Sequence, residues 1–208
     1  MSFKPNLFEN PNRMFRVQCE ELDAAQKISK ELLTLISPER NQPIVIVCIG
    51  TDRSTGDSLG PLVGTLLEEK SASSFHVYGT LEDPIHAVNL EERLREINRL
   101  HRNPFIIGID ACLGRLKSVG SIQIGQGPIK PGAGVNKELP AVGNMHITGI
   151  VNVSGFMEFF VLQNTRLSLV LKMARAIADG ISRASLSAAA SRSSMPHLKW
   201  NFEQEQTP

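Results

Sequence analysis

The sequence is short of cysteine, of aromatic side chains and of any charge surplus, and it has no long apolar run. Its three cysteines, Cys19, Cys48 and Cys112, stand far apart and form no Cys-x-x-Cys pair. That spacing excludes a disulfide framework and a thiolate metal cage, and it suits a reducing compartment. Aromatics make up 5% of the chain, so the core must be mostly aliphatic. Lys and Arg number 22 against 21 Asp and Glu, for a formal net charge of +1. Such a balance gives no global attraction to nucleic acid or to an anionic membrane. No apolar stretch approaches the roughly 20 residues that span a bilayer. Met1 to Arg16 carries charge without an apolar stretch, so no secretory signal is expected. The expected location is the cytoplasm, with partners that are neither nucleic acid nor membrane.

What is present fits one buried core. The 208 residues, 41% of them hydrophobic, suffice for one domain and not for two large ones. Met1 to Gln18, with Pro5, Pro11 and three asparagines, reads as an irregular arm. Leu22, Ala25, Ile28, Leu32, Leu35 and Ile36 predict a helix that Pro38 stops. Ile44 to Ile49 is a continuous apolar run rich in β-branched residues, the mark of a parallel strand buried on both faces. A polar loop, Thr51 to Asp57, precedes a helix from about Ser58. Phe75 to Gly79 predicts a second strand and Phe105 to Ile109 a third, with Asp110 just past its end. A helix marked by Val88, Leu90, Leu94, Ile97 and Leu100 lies between them. Ser121 to Ile124 and Ile147 to Val153 predict two more strands, separated by a Gly/Pro-rich loop from Gly125 to Gly143. One long helix is expected over about Gly155 to Ser182. Residues 1–183 thus form the expected domain. The Ser/Ala-rich stretch 184–208 reads as a mobile or loosely docked tail, dispensable for folding.

The alternation of strands and helices predicts an α/β three-layer sandwich, a mainly parallel sheet flanked by helices. Ligands in such folds sit beyond the carboxyl ends of the strands. The loops after Ile49 and Ile109 end there, and each carries an aspartate.

Several chemistries compete for those loops. A phosphate-binding reading of Gly50 to Gly56 fails, because Asp57 stands where a lysine is needed and would repel phosphate. Gly56-Asp57-Ser58-Leu59 spells an esterase signature, but no late Asp-x-x-His supplies the base. Asp57 is either a catalytic acid or a helix cap. Asp110 is either a catalytic acid or a cap for the next turn, since a carboxylate there is costly unless paired or facing a cleft. Cys112 with His146 is a nucleophile–base alternative, set against a plain packing role for the thiol. The five histidines show no metal-ligand spacing. The glycines of the loop Gly127 to Lys137, Gly132 and Gly134 among them, permit close backbone approach to a bound peptide or simply form a surface loop.

The segments Ile46 to Gly50, Gly56 to Val63, Ile109-Asp110-Ala111, Pro131 to Val135 and Ile147 to Val153 together resemble a known group. They are similar to the spore germination proteases and, more distantly, to the hydrogenase maturation endopeptidases with their HybD-like fold. The likeness is greatest to YyaC-type sporulation proteins and covers about Pro43 to Ser182. The resemblance implies a peptidase acting through an aspartate pair, Asp57 and Asp110, on a protein or peptide substrate. It implies Gly132 and Gly134 as substrate-binding positions and a spore or developing-spore compartment. The maturation enzymes add a later histidine to hold nickel. Gly127 to Gly143 contains none, so no metal and no other cofactor is expected. Thr51 stands where both groups usually carry Asn. The alternative from another class is a non-catalytic, peptide-binding or regulatory protein of sporulation that uses the same cleft.

Overall fold

A computed structural model describes residues 14–36, 42–70, 74–132 and 139–193. Its centre is a six-stranded sheet in which four neighbouring strands run parallel. In chain order the strands are β1 (Phe15–Gln18), β2 (Ile44–Cys48), β3 (His76–Tyr78), β4 (Phe105–Gly114), β5 (Ser121–Gln126) and β6 (Met145–Val153). Their spatial order is β1-β5-β6-β4-β2-β3. β3, β2, β4 and β6 pair in parallel, while β5 runs against both β6 and β1. The helices are α1 (Ala24–Leu35), α2 (Leu59–Glu69), α3 (Leu90–Leu100), α4 (Glu158–Gln163) and α5 (Leu167–Ser193).

β2 shows how the apolar runs make three layers. Successive side chains of a strand point to opposite faces. Ile44, Ile46 and Cys48 join a core with Ile28 and Leu32 of α1, Val63 of α2 and Ile177 of α5. Val45, Val47 and Ile49 join a second core with Leu90 and Ile97 of α3. A strand sealed on both faces has no use for polar alternation, hence the unbroken run.

The structure departs from the sequence reading at five places. The end of the supposed irregular arm is β1, which pairs residue for residue with β5 from Phe15↔Ile124 to Gln18↔Ser121. Leu22, expected on the buried face of the first helix, precedes α1 and is exposed, as is Val88 before α3. β4 does not stop at Ile109 but continues to Gly114, so Asp110 lies inside the strand. The single long helix is two, α4 and α5. The i−4 ladder holds through Asn164 N to Phe160 O, but Thr165 N turns to Leu162 O while its Oγ1 donates to Val161 O. A side chain thus takes the carbonyl that a continuous helix would give to the Thr165 N–H. Last, α5 runs past Ala184 to Ser193, with Ala184 and Ser185 fully buried. Alanine favours helix strongly, and Ser185 Oγ accepts a hydrogen bond from Ser74 N at 2.8 Å. The Ser/Ala stretch is a docked helix at least that far.

Candidate active site

Two features bring the aspartates to one place. β2 and β4 are adjacent, with Cys48 opposite Ile109 and a final bond from Ile49 N to Ile109 O at 2.7 Å. β2 then ends, and the loop Gly50 to Ser58 folds over its tip. The loop closes on itself through Thr51 N to Asp57 O at 3.2 Å and Ser58 N to Ser54 O at 3.0 Å. Gly50 has φ +148, and a Cβ there would lie 1.9 Å from Asp57 O, so only glycine lets Asp57 settle against the strand end. Gly56 N donates to Leu162 O of α4 at 2.9 Å, anchoring the other side of the loop.

Asp110 is one residue beyond the last pairing with β2 and opposite Thr148 of β6. Two residues earlier, Gly108 lets the Gly/Pro-rich loop lie directly on the strand. A Cβ at Gly108 would come 2.9 Å from Ile129 Cγ2 and 3.1 Å from Val142 O. Ile129 and Val142 pair across the base of that loop. Pro131 and Gly132, just beyond that base, line the same cavity as Asp110.

The result is a cavity of about 550 Å³ lined by both aspartates. Gly132, at φ +91, lines it too; Gly134 lies outside the described residues. Pro84, Leu139, Phe159 and Leu162 make much of the wall apolar.

That wall governs the proton chemistry. Burial pushes the Asp110 carboxyl up to about 8; the Asp57 charge adds to the rise, and the Ala111 N–H, donating to Oδ1 at 2.8 Å, opposes it. The residue keeps some surface toward the cavity while its carboxyl group is enclosed by protein. Burial also raises Asp57, against a weaker pull from Ser54. Ser54 Oγ is buried and has no partner at full hydrogen-bonding distance, so that pull is electrostatic rather than a formed bond. One carboxyl therefore holds a proton at neutral pH beside another that can ionise.

The competing readings fare differently. Among the described residues no backbone N–H donates to the Asp57 carboxylate, and Ser58 occupies the cap position of α2. Ser58 is buried and its hydroxyl donates to Thr55 O at 2.7 Å, so it is not a free nucleophile. His146 pairs with Gly108, whereas Cys112 pairs with Ile150. Four residues along a strand place them about 13 Å apart. Burial, then the Asp110 charge, pushes the Cys112 thiol up to about 11, which suppresses the thiolate. Among the described residues no three His, Cys, Asp or Glu side chains gather as a metal site. No described helix is long and apolar enough to cross a membrane.

Sequence reasoning missed His86, which lines the same cavity. It follows Ile85, which bridges to Ile49 and accepts from Gly50 N at 2.8 Å. His86 Nδ1 accepts from Val88 N at 3.3 Å, which puts the proton of the neutral ring on Nε2. A one-residue bridge after Pro84 has no periodicity to read, so no sequence signal points to it.

Residues 16–180 match the family described as "Protein of unknown function (DUF1256)". The chain belongs to that family. It is 58% identical over 183 residues to a Bacillus subtilis (strain 168) protein described as "Uncharacterized protein YyaC", covering 88% of this chain and 89% of that one. The DUF1256 match begins within β1 and ends within α5, so it takes in both aspartates, His86 and the Gly/Pro-rich loop. It also takes in β1 and α1, which lie before the Pro43 boundary of the sequence resemblance.

Proposed function

We propose that this DUF1256 chain is a peptidase that hydrolyses a peptide bond with the pair Asp57 and Asp110 in a sporulating cell. The observation that carries the reading is the pair itself: Asp57 in the loop after β2 and Asp110 in β4 just past its pairing with β2, both raised by burial, in one cavity. The sequence likeness to the spore germination proteases supports the same assignment. Asp110, protonated, donates a hydrogen bond to the scissile carbonyl oxygen. Asp57, ionised, takes a proton from water as the water oxygen bonds to the carbonyl carbon. The tetrahedral adduct then collapses, the C–N bond breaks, and Asp57 returns its proton to the departing nitrogen. Gly132 borders the cavity where a substrate backbone would pass. Nothing in these steps calls for a metal or another cofactor.

A second reading is a sporulation protein that holds a peptide without cutting it. The aromatic ridge of α4 and the preceding turn favours it, because Phe156, Phe159 and Phe160 are more than half exposed and hydrolysis alone has no need of them. One experiment separates the two. A proteome-derived peptide library is incubated with the wild-type chain, Asp57→Asn and Asp110→Asn, and new termini are read by mass spectrometry. Cleavage by the wild type and by neither variant supports the peptidase. Full cleavage by either variant, or none by the wild type, sinks the pair.

A further inference from the structure

β4 outruns its neighbour. β2 pairs with it only as far as Cys48↔Ile109, while pairing with β6 continues to Gly114↔Val153. Backbone groups of a strand point alternately to its two neighbours. Ile109 O accepts from Ile49, so the backbone of odd-numbered residues faces the β2 side; Gly114 O accepts from Ser154 N on the other side, as that parity requires. The bulge at Cys112/Leu113 leaves the alternation of β4 intact, because the extra residue, Val151, is in β6. Ala111 and Leu113 therefore turn their backbone groups to the row that β2 has vacated. The cavity lies against that row, with Ala111, Cys112 and Leu113 on one side and Thr51 and Asp52 on the other.

We infer that an extended polypeptide segment occupies this row as an added parallel strand, in register beyond β2 and directly beside Asp110. Strand addition takes its affinity from the main chain and its selectivity from alternate side-chain pockets. Ala111 N–H is already given to Asp110 Oδ1, which leaves Ala111 O and Leu113 N–H as the two anchors. In a parallel ladder one residue of the incoming strand uses both, donating to the first and accepting from the second. That residue lies opposite Cys112, the one before it opposite Ala111, and the peptide bond entering that preceding residue passes Asp110. The anchor residue's neighbours point to the face of Ala111 and Leu113, where Leu162 packs and Phe159 is exposed at the mouth, while its own side chain points to the opposite face, toward Leu139. The ligand class is thus an unfolded or terminal protein segment, recognised by its backbone and by an apolar side chain next to the anchor. The inference uses the peptidase reading only to call that segment a substrate.

The test uses full-length Asp110→Asn, which keeps the Oδ1 acceptor for Ala111 and cannot consume the probe. The probe is a pool of capped nonapeptides of Ser, Thr, Gln and Lys with one Phe or Leu at the fourth, fifth or sixth position. Binding should slow Leu113 amide exchange at least tenfold and leave Ala111 almost unchanged, by amide NMR. A single N-methyl group on the anchor residue should weaken binding at least tenfold, and one on either neighbour less than threefold. Binding without Leu113 protection, or with uniform tolerance of N-methylation, overturns strand addition. So does the absence of any binder up to about 1 mM, the weak end of measurable affinity. Leu113 protection together with cleavage by the amide variants would retire the catalytic pair and leave the strand site standing.

Discussion

Phe105 to Ile109 are all buried, with β2 on one side and, from Ile107, β6 on the other; Asp110 to Gly114 are half-buried and have β6 alone. One strand thus contains two environments, divided where its neighbour stops. The first half has its backbone bonds satisfied on both edges and its side chains in two cores, so it can do little except hold the sheet together. The second half has an open edge and a carboxyl forced to keep its proton. The cavity opens where the sheet runs out of partners, and the fully paired half holds that end in place.

The comparison breaks most visibly at the packed half. Ile107 is fully buried, and Ile107→Ala should cost about 2–5 kcal/mol in denaturant unfolding. Leu113→Ala, six residues on and only partly buried, should cost less than about 1.5 kcal/mol while changing peptide binding. Equal losses at the two sites would erase the distinction.

Gly108→Ala tests the junction. Its new methyl meets a loop side chain at 2.9 Å and the Val142 carbonyl at 3.1 Å, and the backbone oxygen cannot easily move away. Destabilisation of about 1–3 kcal/mol is expected, with the Gly/Pro-rich loop lifted and activity lost although no aspartate is touched. An unchanged amide spectrum around Gly132 would count against this coupling.

Asp110→Asn sharpens the other half. The carboxyl is pushed up to about 8 in the folded chain, above its ordinary value in the unfolded one. Between about pH 4 and pH 8 the folded state therefore binds more protons, and stability falls as pH rises. The cost is absent below the unfolded value and complete above about 8. The amide removes it, so Asp110→Asn should gain melting temperature over the wild type at pH 9 and nothing at pH 4, a difference of a few degrees. A gain independent of pH would mean that the carboxyl is not held protonated. For the same reason wild-type hydrolysis should fade above about pH 8, as Asp110 loses its proton.

The smallest effect is expected far from β4. Ser185→Ala removes the acceptor for Ser74 N, a loss of about 1 kcal/mol. Truncation before Ala184 should cost several times more, because it strips the buried turn of α5 as well.

Legibility in the sequence followed the same division. The first half of β4 was readable because an apolar run sealed on both faces leaves a plain mark, and the same holds for β2. The second half, Asp-Ala-Cys-Leu-Gly, was not, since a strand open on one edge beside a cavity obeys neither alternation nor continuous burial. Asp57 and Asp110 could still be picked out, Asp110 just past an apolar run and Asp57 at the end of the polar loop that follows another. Their environment could not, because it depends on the Gly108 contact and on α4, which are set by tertiary packing. The α4–α5 break was hidden because Asn164 and Thr165 are tolerated in helices; only the Thr165 hydroxyl on the Val161 carbonyl, with its N–H turned to Leu162 O, reveals it. β1 is four residues long, too short for its alternation to outweigh the prolines before it.

The bond from Gly56 N–H to the Leu162 carbonyl has a mechanical meaning. α4 is short, begins after Met157 at φ +60 and ends at the Asn164–Thr165 break, so it is a stiff bar between two joints. Its exposed rings are at one side of the bar, and the residue before Asp57 is clipped to its last turn. The helix that joins the rings to that hydrogen bond is less than two turns long. If the chain is the proposed peptidase, a substrate seated against Phe159 would bear through α4 on the residue before its base, Asp57.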